Sequence, residues 1–143
     1  MKIIIQEQNN FLLRFDRREE VMGGIVDFTK KQNLSGATFT GLGACSSVQL
    51  SYYDLEKKEY IKKDFNEDLE IINLTGNISL LGEEPAVHMH GTFGRTDYST
   101  IGGHVFRMVV FGTCEIHLQK LDKKIEREKD EETGLNLLAS KIA

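Results

Sequence analysis

The stretch HVFRMVVFGTCEIHLQKL, His104–Leu121, decides the fold. In its second half Val110, Cys114, Ile116 and Leu118 fall on one side of a period-two repeat. Thr113, Glu115 and His117 fall on the other. Side chains two apart on a strand share a face, so this is a long apolar strand with one core side. On that reading Cys114 is a small buried hydrophobe, and His117 is a surface or interface residue.

Outward from this strand, everything after Ser35 reads as β. Gly36–Gly43 forms a strand through Ala37, Phe39 and Leu42, leaving Cys45 in a following turn. Ser47–Asp54 and Glu59–Phe65 make a hairpin across Leu55–Lys58, and Leu69–Leu80 alternates as a further strand. Ala86–Phe93 follows Pro85, the one proline of the chain. Before Ser35, Lys2–Gln6 and Phe11–Phe15 are two short strands joined around Gln8–Asn10.

Asp16 and Glu19 have the spacing of a helix capping box. Val21, Ile25 and Phe28, with Met22 and Val26 beside them, recur at helical intervals, and Lys30 and Lys31 suit the negative end of the helix dipole. The spacing predicts one helix over Arg17–Gln32. Gly23 and Gly24 inside it cost roughly 2 kcal/mol of helix propensity, which implies that a neighbouring element approaches there closely. The sum is an α+β domain: an antiparallel-rich mixed sheet with one main helix packed on it.

A chain of 143 residues makes one domain, 1–143, and buries a core without disulfides or structural metal. The segment 121–143 is a charged tail that docks through Leu135, Leu137 and Leu138 on the sheet or on a neighbouring subunit. Lys+Arg number 18 against 22 Asp+Glu, a net charge of −4, and the lysine-rich places are interleaved with acids. A dedicated DNA binder needs a positive field to neutralise phosphates, and none is evident here. Met1–Gln6 is too short for a signal-peptide core or a membrane span. The expectation is a cytoplasmic protein with Cys45 and Cys114 as reduced thiols.

Three of the four histidines, His88, His90 and His104, crowd one short region. His88 and His90 sit two apart on a strand and can aim at one point, and His104 follows Gly102-Gly103 at the start of the next strand. A third imidazole arriving there completes the half-tetrahedron of a three-histidine zinc site with an open fourth position. The alternative is three polar residues on a wet sheet face, or histidines paired to carbonyls. Glu70 stands in a strand of Leu and Ile, where a carboxylate needs a partner, a structural role or a catalytic one beside the metal. Arg95 and Asp97, in the loop between the histidine strands, offer contacts for a small anionic ligand.

Five motifs, taken in order, resemble those of a known family. They are Leu42-Gly43-Ala44, Leu69–Gly76 (LEIINLTG), His88-Met89-His90-Gly91, Gly102-Gly103-His104 and Glu132–Leu138 (ETGLNLL). Together they resemble the PPC, or plants and prokaryotes conserved, domain family over Phe11–Leu138. The resemblance implies a PPC-like α+β domain that assembles as a homotrimer. Plant members carry an AT-hook ahead of the domain, and this chain has no Arg-Gly-Arg-Pro hook. It resembles the stand-alone prokaryotic form, and the histidines belong with that branch. More distantly, the histidine pattern is similar to that of acetolactate decarboxylases, which hold zinc on an HxH pair and a later histidine. The reading that follows is a trimeric protein with a divalent metal, zinc first, on His88, His90 and His104, binding a small ligand or carrying out metal-dependent chemistry. The alternative is a DNA-associated or transcription-related regulatory interaction module, which the charge and the missing hook disfavour.

Overall fold

A computed structural model describes residues 1–140 of the chain. The elements run β1 (Lys2–Glu7), β2 (Asn10–Asp16), α1 (Val21–Lys31), β3 (Ala37–Asp54), β4 (Glu59–Phe65), β5 (Leu69–Leu81), β6 (Glu84–Gly94), β7 (Thr100–Lys120), β8 (Arg127–Lys129) and β9 (Asn136–Leu138). The main sheet has the order β1-β2-β7-β6-β5-β3-β4, and β7 also pairs with β3. Strands β7, β6, β5 and β3 therefore form a ring of hydrogen-bonded neighbours. Pairings between the named strands are antiparallel, and the parallel contact is an isolated bridge from Leu80 to Glu126.

β7 is the shared wall. It pairs with β6 from Thr100 to His104, with β3 from His104 to Lys120, and with β2 from Thr113 to Gln119. Its inward row of Val110, Cys114, Ile116 and Leu118 is fully or nearly fully buried, as the alternation predicts. That row does not continue unbroken to the start of the strand. The β3 register skips at Gln49 and Leu50, where Arg107 pairs with Gln49 and Val105 with Leu50, leaving Phe106 unpaired on that side. The extra residue is a β-bulge, and it flips the phase of the strand. Met108 and Val105 both point into the core, so His104 points out of it. Strict alternation from Cys114 would bury His104.

The helix begins four residues later than the spacing predicts, at Val21. Arg18 takes a positive φ of 73°, and the segment before the helix bonds to β7 instead of coiling. Arg18 N donates to the Val110 carbonyl, and Val110 N donates to that of Glu19. The Glu19 carboxylate does reach back to the Asp16 amide at 2.7 Å, but the contact closes a turn. The cap is Glu20, whose carboxylate accepts from the amides of Met22 and Gly23. It also accepts from Met108 N of β7, which fixes the helix against the shared wall. Val21, Ile25 and Phe28 are buried beneath the helix.

Two further expectations need correction. The two strands expected over Gly36–Asp54 are one, β3, which bends through register shifts without breaking. Cys45 accordingly lies fully buried within a strand and not in a turn. The charged tail, expected to dock through its leucines, is held by its backbone as well: after Lys124 the chain folds back, Leu80 N donating to the Ile125 carbonyl and Ala139 N to that of Glu126. Leu135 is half-buried there, while Leu137 and Leu138 remain exposed on the single chain. No helix is long and apolar enough to cross a membrane among the described residues.

Close approach explains Gly24. A Cβ there would lie 2.4 Å from Cε1 of Phe15, a ring with no exposed surface and no room to retreat. Replacing Gly24 with Ala should therefore lower stability by about 1–3 kcal/mol through overpacking, although alanine is the better helix former by about 1 kcal/mol. Urea unfolding of the two proteins measures the sign, and a more stable variant would contradict the packing account.

Candidate metal centre

His88 and His90 flank Met89 on β6. Met89 is fully buried, so the two imidazoles leave the opposite face of the strand together. Asn77 of β5 lies across from His88 and Thr75 across from His90. On the other side of β6, His90 pairs directly with His104 of β7. Directly opposed residues of an antiparallel pair project to the same face, and the bulge at Phe106 is what sends His104 there. Gly102 and Gly103 let β7 slide between its neighbours at this point. A Cβ at Gly102 would stand 2.8 Å from the Gly91 carbonyl oxygen, and one at Gly103 2.9 Å from that of Ser51.

The three histidines meet as their spacing predicts. One ring nitrogen from each lies within 4.8 Å of those of the other two. Ring centroids are 5.0 Å apart for His88–His90, 5.1 Å for His88–His104 and 5.3 Å for His90–His104. Tyr60 of β4 leans on His104 at 5.1 Å, and Phe106 meets its ring at 4.7 Å. Among the described residues, no side chain or backbone group hydrogen-bonds to the three imidazoles. The alternative of histidines tied to carbonyls is therefore not what the structure holds.

Burial and neighbouring charges favour the neutral form of His88 and His104. Burial, then the neighbouring His88 and His90, and then Lys62 and Arg127, push the His104 pKa down to about 4. Burial lowers His88 as well, with Arg127 and His90 adding to the effect. A neutral imidazole has a free lone pair, the form that binds a metal. Ser51, directly opposite His104 on β3, carries a buried hydroxyl oxygen with no partner among the described residues. Three imidazole nitrogens converging beside an unpartnered hydroxyl suit a borderline divalent ion with room for an exogenous ligand. The residues fit the group.

The other sequence candidates lie elsewhere. Glu70 is exposed on the outer face of β5 and pairs with Gly94. It stands five residues along β5 from Thr75, the partner of His90, a separation of roughly 17 Å at strand rise. With Arg95, Tyr98 and Phe111 it lines a separate hollow of about 470 Å³. The Arg95 guanidinium is forked onto Glu67 at 3.0–3.2 Å, so its charge is already answered. His117 is exposed, beside Glu115 and Thr113. Cys45 and Cys114 are free and buried, and burial pushes both thiols up to about 12, far from a nucleophilic state.

Arg127 is the residue that the sequence did not single out. It is one of five basic residues in the run Lys120–Glu132, and nothing in that run marks it. In the structure its Nε donates to Ser79 Oγ, Nη1 to the Asn136 carbonyl and Nη2 to Asn77 Oδ1, each at 2.8 Å. Asn77 is the cross-strand partner of His88, so the tail brings a cation to the histidine face.

The chain belongs to the Plants and Prokaryotes Conserved (PCC) domain family, whose model matches residues 5–122. A metal-containing protein from Archaeoglobus fulgidus is 37% identical, with a TM-score of 0.87 over 98% of this chain and 100% of that one. A plant- and prokaryote-conserved protein from Pyrococcus horikoshii is 34% identical, with a TM-score of 0.87 over 94% and 93%. A protein from Bacteroides thetaiotaomicron, provisionally named as DNA-binding, is 30% identical, with a TM-score of 0.91 over 94% of both chains. An α-acetolactate decarboxylase from Bacillus subtilis shares the fold at a TM-score of 0.54 and 16% identity, over 88% of this chain and 58% of that one. No curated protein matches the chain.

A histidine in an unfolded chain titrates near 6.5, whereas His104 in the folded chain titrates near 4. Between those values the unfolded chain holds a proton that the folded chain does not. Stability therefore falls as pH drops through that window. Chelator-treated protein should show its urea midpoint declining from pH 6.5 toward pH 4, and His104→Gln should flatten the decline. Equal slopes for the two proteins would rule out the buried neutral imidazole as its source.

Proposed function

We propose that this protein is a metal-dependent small-ligand binder, with one divalent ion on His88, His90 and His104 and an open position facing the adjoining hollow. The observation that carries this reading is the convergence of three ring nitrogens within 4.8 Å of one another, with no other hydrogen-bond partner among the described residues. The name of the Archaeoglobus fulgidus relative, a metal-containing protein, supports it. Zinc is the first choice, because an all-imidazole set of three leaves the open tetrahedral position that zinc favours. When bound, such an ion polarises a carbonyl oxygen or lowers the pKa of a bound water. The chain's own residues orient the ligand: Tyr60 and Phe106 wall one side of His104, and Tyr60 keeps its proton because burial raises its pKa.

The homotrimer implied by the family resemblance belongs to the same proposal, and exposed apolar side chains outside the histidine face, among them Leu42, Ile72 and Phe111, are surface available for it. A DNA-associated module is the second reading, favoured by the name of the Bacteroides thetaiotaomicron relative. The net charge of −4 weighs against it, since phosphate neutralisation carries most non-specific affinity.

Elemental analysis of protein purified without chelator should find about one divalent ion per chain, and a His88→Ala/His90→Ala double variant should lose it. Sedimentation of the same samples should give three chains per particle for both. Equal metal content in the two proteins would overturn the site, and a stable monomer would overturn the assembly.

A further inference from the structure

The hollow beside the histidines has a charge that the metal reading does not explain. It measures about 320 Å³, and its lining includes His88, His104, Tyr60, Lys58 and Arg127. No Asp or Glu is among the residues that line it. In a chain with net charge −4, a cavity with two cations and no acid is a local reversal of sign.

Arg127 makes that reversal costly. Its hydrogen bonds go to a hydroxyl, a backbone carbonyl and an amide oxygen, all neutral. No carboxylate pairs with it among the described residues. Its environment disfavours the charge, burial lowering its pKa. A guanidinium has five N–H donors, three of which are engaged, so one remains on each terminal nitrogen. An arginine held rigidly by three neutral acceptors, with donors to spare and no counter-ion, is preorganised to receive an anion. A structural role alone, pinning the tail to β5, would be served by the same three bonds without an acid-free cavity.

The walls set the size of the occupant. Tyr53 donates to the Thr133 carbonyl and Lys58 Nζ to that of Glu131, both at 2.7 Å, so the tail closes one side of the hollow while the β3–β4 hairpin forms another. A volume near the lower end of ligand cavities suits a small molecule rather than a polymer. With a divalent ion on the histidines, the positive charge of the hollow would rise further.

We infer that this hollow is the binding site of a small carboxylate, its carboxylate group held by Arg127 with Lys58 beside it and its far end reaching the open position of the histidine cluster. The inference rests on the metal reading for that far end alone, because the Arg127 contact stands on charge and geometry. It moves the anion contact expected at Arg95 to a different arginine, one whose charge is unanswered.

Calorimetric titration with pyruvate, and with its uncharged amide as a control, tests the assignment on zinc-loaded and chelator-treated protein. The wild type should bind pyruvate saturably and the amide at least roughly tenfold more weakly. Arg127→Gln should lose a similar factor with its zinc content unchanged. Because Arg127 also holds the tail, Lys58→Gln provides a second variant that leaves the three Arg127 bonds intact and gives up only the bond to the Glu131 carbonyl, and it should weaken pyruvate binding by a smaller factor. Equal affinity for pyruvate and its amide, or wild-type affinity in both variants, would overturn the carboxylate site. Binding that depends on Arg127 but is the same with and without zinc would keep the site and remove the metal from it. Absence of pyruvate binding in protein that carries zinc would overturn the site and leave the metal reading standing.

Discussion

The structure depends on one strand serving three partners. β7 pairs with β6 at its start, with β3 along nearly all its length and with β2 toward its end. A strand shared in this way closes the ring of β7, β6, β5 and β3 and leaves β1 and β4 as the outer strands, but it must also change phase to satisfy both ends. The bulge at Phe106 makes that change. Downstream of it the even-numbered residues face the core, and upstream the odd-numbered residue Val105 does. His104 is thereby placed on the face of His88 and His90. The candidate metal centre is in this sense a product of sheet closure.

How much of this could be read from residues follows from the range of the interactions. The inward row of β7, the β6 strand and the pairing of His88 with His90 are local period-two patterns and stand as expected, whereas β5 forms where expected but slips phase between Ile71 and Asn73, so that Leu74 joins Leu69 and Ile71 in the core. The approach of His104 was legible only through Gly102-Gly103, because the bulge depends on register with β3 more than fifty residues earlier. The helix start was misplaced for a related reason. Asp16 and Glu19 do make the predicted contact, yet the backbone at Arg18 prefers hydrogen bonds to Val110 over another helical turn. Local capping signals cannot weigh that competition.

Arg127 marks the limit of sequence reading. Its neighbours alternate in charge, and the simplest account of such a run is a solvated segment. What lifts it out is a fold-back of the tail onto β5, set by backbone bonds from Leu80 and Ala139. The opposite happens at Arg95, which reads as a loop cation open to an anion but is neutralised by Glu67, also distant in sequence. Two arginines of similar appearance end in opposite pairings, one on neutral acceptors and one on a carboxylate, because their partners are non-local. The family match and the shared fold are consistent with a scaffold whose chemistry varies with such details.

The histidine cluster, without hydrogen-bond partners among the described residues, is the centre of the account. Anomalous diffraction at the zinc edge, on crystals of protein purified without chelator, tests it most directly. The account predicts one strong peak at about 2.0–2.1 Å from a nitrogen of each of His88, His90 and His104. Imidazoles bonded to ordered waters, with no anomalous peak among them in protein exposed to zinc, would contradict it.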